Sequence, residues 1–112
     1  MAVQSYRELV AWQKAMDLTA EVYRITKSFP NDELYGITSQ LRRASVSVPA
    51  NIAEGQGRQT TGEFRQFLGH ARGSLLETET HILLAMRLRY IPEAAGEVLL
   101  RQTAELGKVP KV

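Results

Sequence analysis

Apolar residues recur along this chain at intervals of three and four, the period of an α-helix, in four successive segments. In the first, from about Ser5 to Ser28, Ala11, Ala15, Leu18, Val22, Ile25 and Phe29 form one stripe. Leu9, Trp12, Met16 and Tyr23 widen it into the broad face of a bundle helix. Ser5 with Glu8 reads as a capping box, and Pro30 as the stop. The second segment begins at Asn31 or Asp32, either of which can cap it. Leu34, Ile37, Leu41, Ala44 and Val48 mark its stripe, which then reaches Asn51 beside Ile52; Gly55 and Gly57 end it. Pro49 falls inside this pattern. It removes the amide that would bond the Ser45 carbonyl, which predicts a kink rather than a break.

The third segment carries the strongest pattern. Thr60 and Glu63 make a second capping box. Phe64, Leu68, Ala71, Leu75, Thr78, Ile82 and Ala85 then repeat by four and three, a heptad-like seam for packing at a shallow angle. The segment runs to about Arg89, roughly 45 Å at ~1.5 Å per residue. Near its end Leu83, Leu84, Met86 and Leu88 crowd around the helix, and one core cannot take all of them. Apolar surface on several sides predicts a cover from outside, so these four residues are a candidate oligomer interface. The fourth segment starts at Pro92, a favoured first helical position, with a thinner stripe of Ala95, Val98, Leu99, Gln102 and Leu106; Gly107 and Pro110 end it early. No strand-like alternation or repeat interrupts these helices. The links around Pro30, Gly57 and Pro92 are short, and short links force antiparallel neighbours. The expected fold is all-α: one up-and-down antiparallel four-helix bundle over residues 1–112.

Composition narrows the chemistry. The 112 residues suit a single domain, and 44% hydrophobic with 23% charged residues is ordinary for a globular protein. The chain has no cysteine, which removes disulfides, thiolate metal sites and cysteine nucleophiles and fits a reducing, cytoplasmic setting. The opening MAVQSYRELV lacks a basic flank before an apolar run, so no signal peptide is expected. No apolar run is long enough to cross a membrane. The formal charge is only +2, but its distribution is uneven. From Leu34 to Gly73 the acids are Glu54 and Glu63 alone, against Arg42, Arg43, Arg58, Arg65 and Arg72. A solvated helix face is the plainer reading of these arginines; contact with an anionic partner such as RNA is the sharper one. Arg58, Arg65 and Arg72 are seven apart and share a stripe wherever the helix holds.

The runs QLRRASVSVPANIAEGQGR and EFRQFLGHARGSLLETET, with the opening YRELVAWQKAMDLTAEVYRITKSFPNDELYGITSQ, resemble the 23S rRNA intervening-sequence protein family of bacteria. Asn51-Ile52-Ala53-Glu54-Gly55 and Gly73-Ser74-Leu75 carry the resemblance most distinctly. It implies a four-helix bundle, a ring-like homo-oligomer, in number a pentamer, and kinship with accessory proteins that bind nucleic acid and a reverse transcriptase. It implies no defined catalytic activity. The fourth helix looks shorter than the family pattern, and His70 stands where an apolar residue is expected.

Catalytic, cofactor and metal sites are not expected. His70 and His81 share a face but lie roughly 16 Å apart along the axis, too far for one metal. Glu77 reaches His81 as an i,i+4 pair. The glycines around Arg58 follow a helix and lack the ending of a phosphate loop, so they read as a cap and linker. Asn51 falls on the apolar stripe with Glu54 one turn on; the plainer reading is a polar network fixing helix register, the sharper one a partner site at the kink. Gly69 and Gly73 inside the third helix predict close approach by another helix. Trp12 and Tyr6 read as core or interface. The expected function is thus a non-catalytic oligomeric bundle associated with RNA or an RNA-bound protein, with no small-molecule substrate. The alternative is a protein-binding scaffold that makes no nucleic-acid contact.

Overall fold

Two short helical turns precede the first two long helices. Ser5 caps a 3-10 turn, Tyr6–Glu8, its Oγ accepting from the Arg7 amide at 3.1 Å. Leu9 is then extended, and α1 (Val10–Thr26) begins only after it. The capping serine therefore caps the turn and not the helix. Leu9 packs against the core, and that burial outweighs continuing the helix through it. The structure, a computed structural model, describes residues 5–108; the expected stop at Pro110 lies outside them.

The second helix also starts later than its apolar pattern suggests. Asn31–Glu33 form a separate 3-10 turn, and α2 covers Ile37–Gln56. Leu34 consequently sits on a turn, exposed, rather than on the core stripe. The chain stays helical through Pro49. The Ser45 carbonyl that Pro49 deprives of its amide accepts instead from Thr19 Oγ1 of α1 at 2.9 Å, so the missing bond becomes a link between two helices.

The third helix, α3 (Thr61–Arg87), is capped as its sequence predicts: Thr60 Oγ1 accepts from the Glu63 amide at 3.1 Å. Arg89, at φ 65°, turns the chain into the left-handed region without a glycine, and the Tyr90 amide closes the end on the Ala85 carbonyl at 2.8 Å. Pro92 lends its carbonyl to the Gly96 amide at 2.9 Å, and α4 spans Glu93–Lys108.

Each helix packs on its neighbour in the chain, and α1 closes on α4; among the described residues the diagonal pairs do not bring their backbones close. This is the up-and-down four-helix bundle, 44 Å along its longest dimension. Leu18, Val22, Leu41, Val48, Ile82, Ala85 and Leu99 fill the centre. Buried Thr78 and Ser45 return their hydroxyls to their own helices, onto the Ser74 and Arg42 carbonyls, which removes the cost of burying them. Two departures at the core edge set up the surfaces discussed below. Val98 of α4 is exposed, its place taken by Gly96 and Thr103. And α4 as described, Glu93–Lys108, has 16 residues against 27 in α3, Thr61–Arg87.

Candidate functional site

The five arginines of the acid-poor stretch do not form one patch. Arg42 is half-buried between α1 and α2, its Nε donating to Thr26 Oγ1 at 2.8 Å and its guanidinium 5.0 Å from the Tyr23 ring centre. Arg58 lies in the α2–α3 link, before α3 begins, and so falls off the expected stripe. It pairs with Glu54 at 3.3 Å and covers the Phe67 ring at 4.5 Å, which ties the link to both helices. Arg43, Arg65 and Arg72 remain exposed and make no ion pair among the described residues. Arg65 and Arg72 are two turns apart on α3, about 10 Å along its axis.

Asn51 lies at the surface side of α2, half-buried, not within the core stripe. Its Nδ2 donates to the Ser47 carbonyl at 2.8 Å and to Ser47 Oγ at 2.9 Å; Ser74 Oγ of α3 donates to Ser47 Oγ at 2.8 Å. The three side chains form a polar staple between α2 and α3. Glu54 is exposed and spent on Arg58. Glu77 stands 3.5 Å from His81 Nε2, the i,i+4 pair read from the sequence, while His70 is exposed with its edge on Phe67. Trp12 and Tyr6 meet edge to face at 5.3 Å.

On α3 the four candidate interface residues separate. Leu83, Leu84 and Leu88 are each about half exposed. Met86 faces α4, its sulfur lying over Gly96, and belongs to the interior of the bundle rather than to an outer interface. Gly69 and Gly73 have open space where a Cβ would stand. Among the described residues no helix approaches them, and the expected close packing is not found there. Gly55 carries the close approach of α2 to α3: a Cβ there would lie 3.0 Å from Phe67 Cβ.

One concavity escaped stripe-by-stripe reading. Beside the last described turn of α4, a half-open groove of about 450 Å³ lies between the start of α1, the second half of α2 and the first half of α3. Val48, Ile52, Phe64, Leu68, Leu75 and Leu106 line it, with Arg72 and Glu8 among its walls. A signal for it existed in the sequence. The α3 seam starts at Phe64, while the α4 stripe read from the sequence goes no further than Leu106. Among the described residues no cluster of three metal-ligating side chains occurs, and no helix is long and apolar enough to cross a membrane.

Comparison with solved structures gives the same fold. A crystal structure of a protein of unknown function from the S23 ribosomal protein family of Bacteroides thetaiotaomicron, at 1.70 Å, superposes with a TM-score of 0.82 and 25% identity. The match covers 88% of this chain and 93% of that one. No curated protein matches the sequence. The profile of the 23S rRNA-intervening sequence proteins matches residues 7–111, from the first turn through α4, and the chain belongs to that family.

Proposed function

We propose that this protein is a non-catalytic, cytoplasmic accessory protein that assembles as a ring of identical bundles and binds RNA through its phosphate backbone. The observation that carries the RNA reading is the set Arg43, Arg65 and Arg72: exposed guanidiniums without an ion pair among the described residues, in a stretch with two acids. Unspent arginines offer forked donors to phosphate. A net charge of +2 is weak for one chain, but a ring repeats each arginine once per subunit and multiplies weak contacts. Exposed Leu83, Leu84 and Leu88 support self-association; the number five is proposed from the resemblance of the sequence alone.

The test is retention on an RNA column as salt rises. Binding should be sequence-tolerant and fall steeply with salt, because each phosphate contact releases a counterion. Arg43→Glu with Arg65→Glu should abolish retention at low salt. Lys27→Glu with Arg101→Glu, an equal charge change elsewhere on the surface, should only weaken it. Equal loss in both variants refutes a localised site. A parent protein that is not retained favours the second reading, a scaffold that binds protein through its exposed apolar surface without nucleic acid.

A further inference from the structure

The links at the two ends of the bundle differ in kind. Between α2 and α3 the link residues Gly57, Arg58, Gln59 and Thr60 are exposed, and none is large and apolar. At the other end, the α1–α2 turn and the α3–α4 link together expose Pro30, Leu34, Tyr35, Leu88 and Pro92. Tyr35 is 93% exposed. Such side chains add little to their own core, and exposed aromatics of this kind are the usual anchors of interfaces. Residues 1–4 and 109–112 cannot cover this end. They join the chain before α1 begins and after α4 closes, a helix length of about 24 Å away, whereas four extended residues span at most ~14 Å.

The two links are tied to each other. The Tyr90 hydroxyl donates to Glu33 Oε2 at 2.9 Å, and the Tyr90 ring lies 5.6 Å from that of Phe29. The Gly36 amide closes the turn on the Glu33 carbonyl at 2.9 Å. Presenting Leu34 and Tyr35 therefore costs little ordering entropy on binding. The charges at this end are of both signs. Asp32 on the turn and Arg89 on the link are exposed, and neither makes an ion pair among the described residues. Arg89 also holds φ 65°, a conformation that a Cβ makes costly and glycine takes freely. The fold thus keeps a guanidinium where a plain turn needs none. An anion drawn to Arg89 meets Asp32 and Glu33 across the tied links. A second copy of the same end, turned about a two-fold axis, offers an acid to each arginine and an apolar patch to each tyrosine.

We infer that two copies meet end to end about a two-fold axis. The α1–α2 turn of each lies on the α3–α4 link of the other, with Tyr35 against Leu88 and Asp32 paired with Arg89. The contact joins a patch to itself, so it is isologous and closes at two. It goes beyond the side-by-side contact of the proposed ring. It takes Leu88 for the end and leaves Leu83 and Leu84 for the sides, so it pairs one ring with another.

Charge reversal tests the two-fold directly. Asp32→Arg and Arg89→Asp should each weaken pairing about tenfold or more, because like charges then meet twice across the axis. An equal mixture of the two variants should pair again, because each chain supplies the charge the other lacks at both contacts. A general effect of charge on folding or solubility gives no such rescue. Independently, Tyr35→Ser should halve the assembled mass by light scattering and leave helical content unchanged, since Tyr35 touches little of its own bundle. The chain has no cysteine, so Tyr35→Cys chains mixed with Leu88→Cys chains should form a mixed disulfide dimer on mild oxidation in preference to either like pair. A Tyr35→Ser protein of parent mass, with the charge variants not rescued by mixing, overturns the end contact and leaves the ring standing. A parent of two chains that Tyr35→Ser makes monomeric upholds the end contact and refutes the ring. A parent that is monomeric at micromolar concentration overturns both. Variants that keep the parent mass but lose retention on an RNA column also refute the pairing and make this end a nucleic-acid surface.

Discussion

Replacing Thr19 by valine tests whether Pro49 turns a lost backbone bond into a tie between helices. Thr19 Oγ1 lies 2.9 Å from the Ser45 carbonyl and 2.9 Å from that of Ala15. The Ala15 oxygen is one turn back on α1 and has a helical amide partner. The Ser45 oxygen does not, because residue 49 has no amide hydrogen. Valine matches threonine in shape, so Thr19→Val removes the donor without opening a cavity and leaves a carbonyl of fully buried Ser45 without its partner. Stranding a buried acceptor costs about 1–3 kcal/mol; with the Ala15 carbonyl still satisfied, we expect about 2 kcal/mol. At a typical slope this lowers the urea midpoint by about 1 M. In a Pro49→Ala background the new amide reaches Ser45, and the same Thr19→Val change should cost less than about 0.5 kcal/mol. Pro49→Ala alone combines relief of the proline with loss of a buried ring, and the double-mutant cycle cancels both. Four denaturation curves at one protein concentration suffice. Equal cost of Thr19→Val in the two backgrounds, to within about 0.5 kcal/mol, would refute the shared-carbonyl account.

Three further predictions follow from local geometry. Gly69→Ala and Gly73→Ala should each stabilise the isolated bundle by about 0.5–1 kcal/mol, because their Cβ positions are empty; Gly96→Ala should gain less in thermal melts, because its Cβ must push the Met86 side chain aside, and the reverse order would be inconsistent with the packing. Arg89→Gly should stabilise by about 1 kcal/mol in thermal melts, since a residue with a Cβ holds φ 65° at a cost glycine lacks. The hydrogen bond to Glu33, aided by burial and the nearby carboxylates, raises the Tyr90 pKa above its usual value. Neutral Tyr90 therefore adds stability that is complete below about pH 10 and disappears as pH rises through the higher folded value, so Tyr90→Phe should flatten the loss of stability on the alkaline side.

Four helices, their antiparallel order and most of the core were legible in the sequence, because a period of three and four over 16 to 27 residues has few other solutions. Capping also read correctly at Thr60, where cap and third residue belong to one local turn. At Ser5 the same local logic found a real cap, but of a 3-10 turn; at Asn31 it found a turn but no cap, for neither Asn31 nor Asp32 caps the second helix, and the helices began at Val10 and Ile37. Only packing decides whether Leu9 or Leu34 continues a stripe or leaves it. The sites depended still more on tertiary structure. Spacing puts Arg58 in phase with Arg65 and Arg72, but the α2–α3 link places it beside Glu54 and Phe67. Periodicity puts Asn51 in the core, whereas the way α2 lies on α3 leaves it at the edge, joined through Ser47 to Ser74 of α3. Sequence shows that Pro49 frees a carbonyl; that Thr19, thirty residues earlier, takes it up is a fact of how α1 lies on α2. The groove has the same origin. Each of its walls reads as ordinary core, and only the packing of α1, α2, α3 and the last described turn of α4 brings them around one concavity, which no single stripe contains.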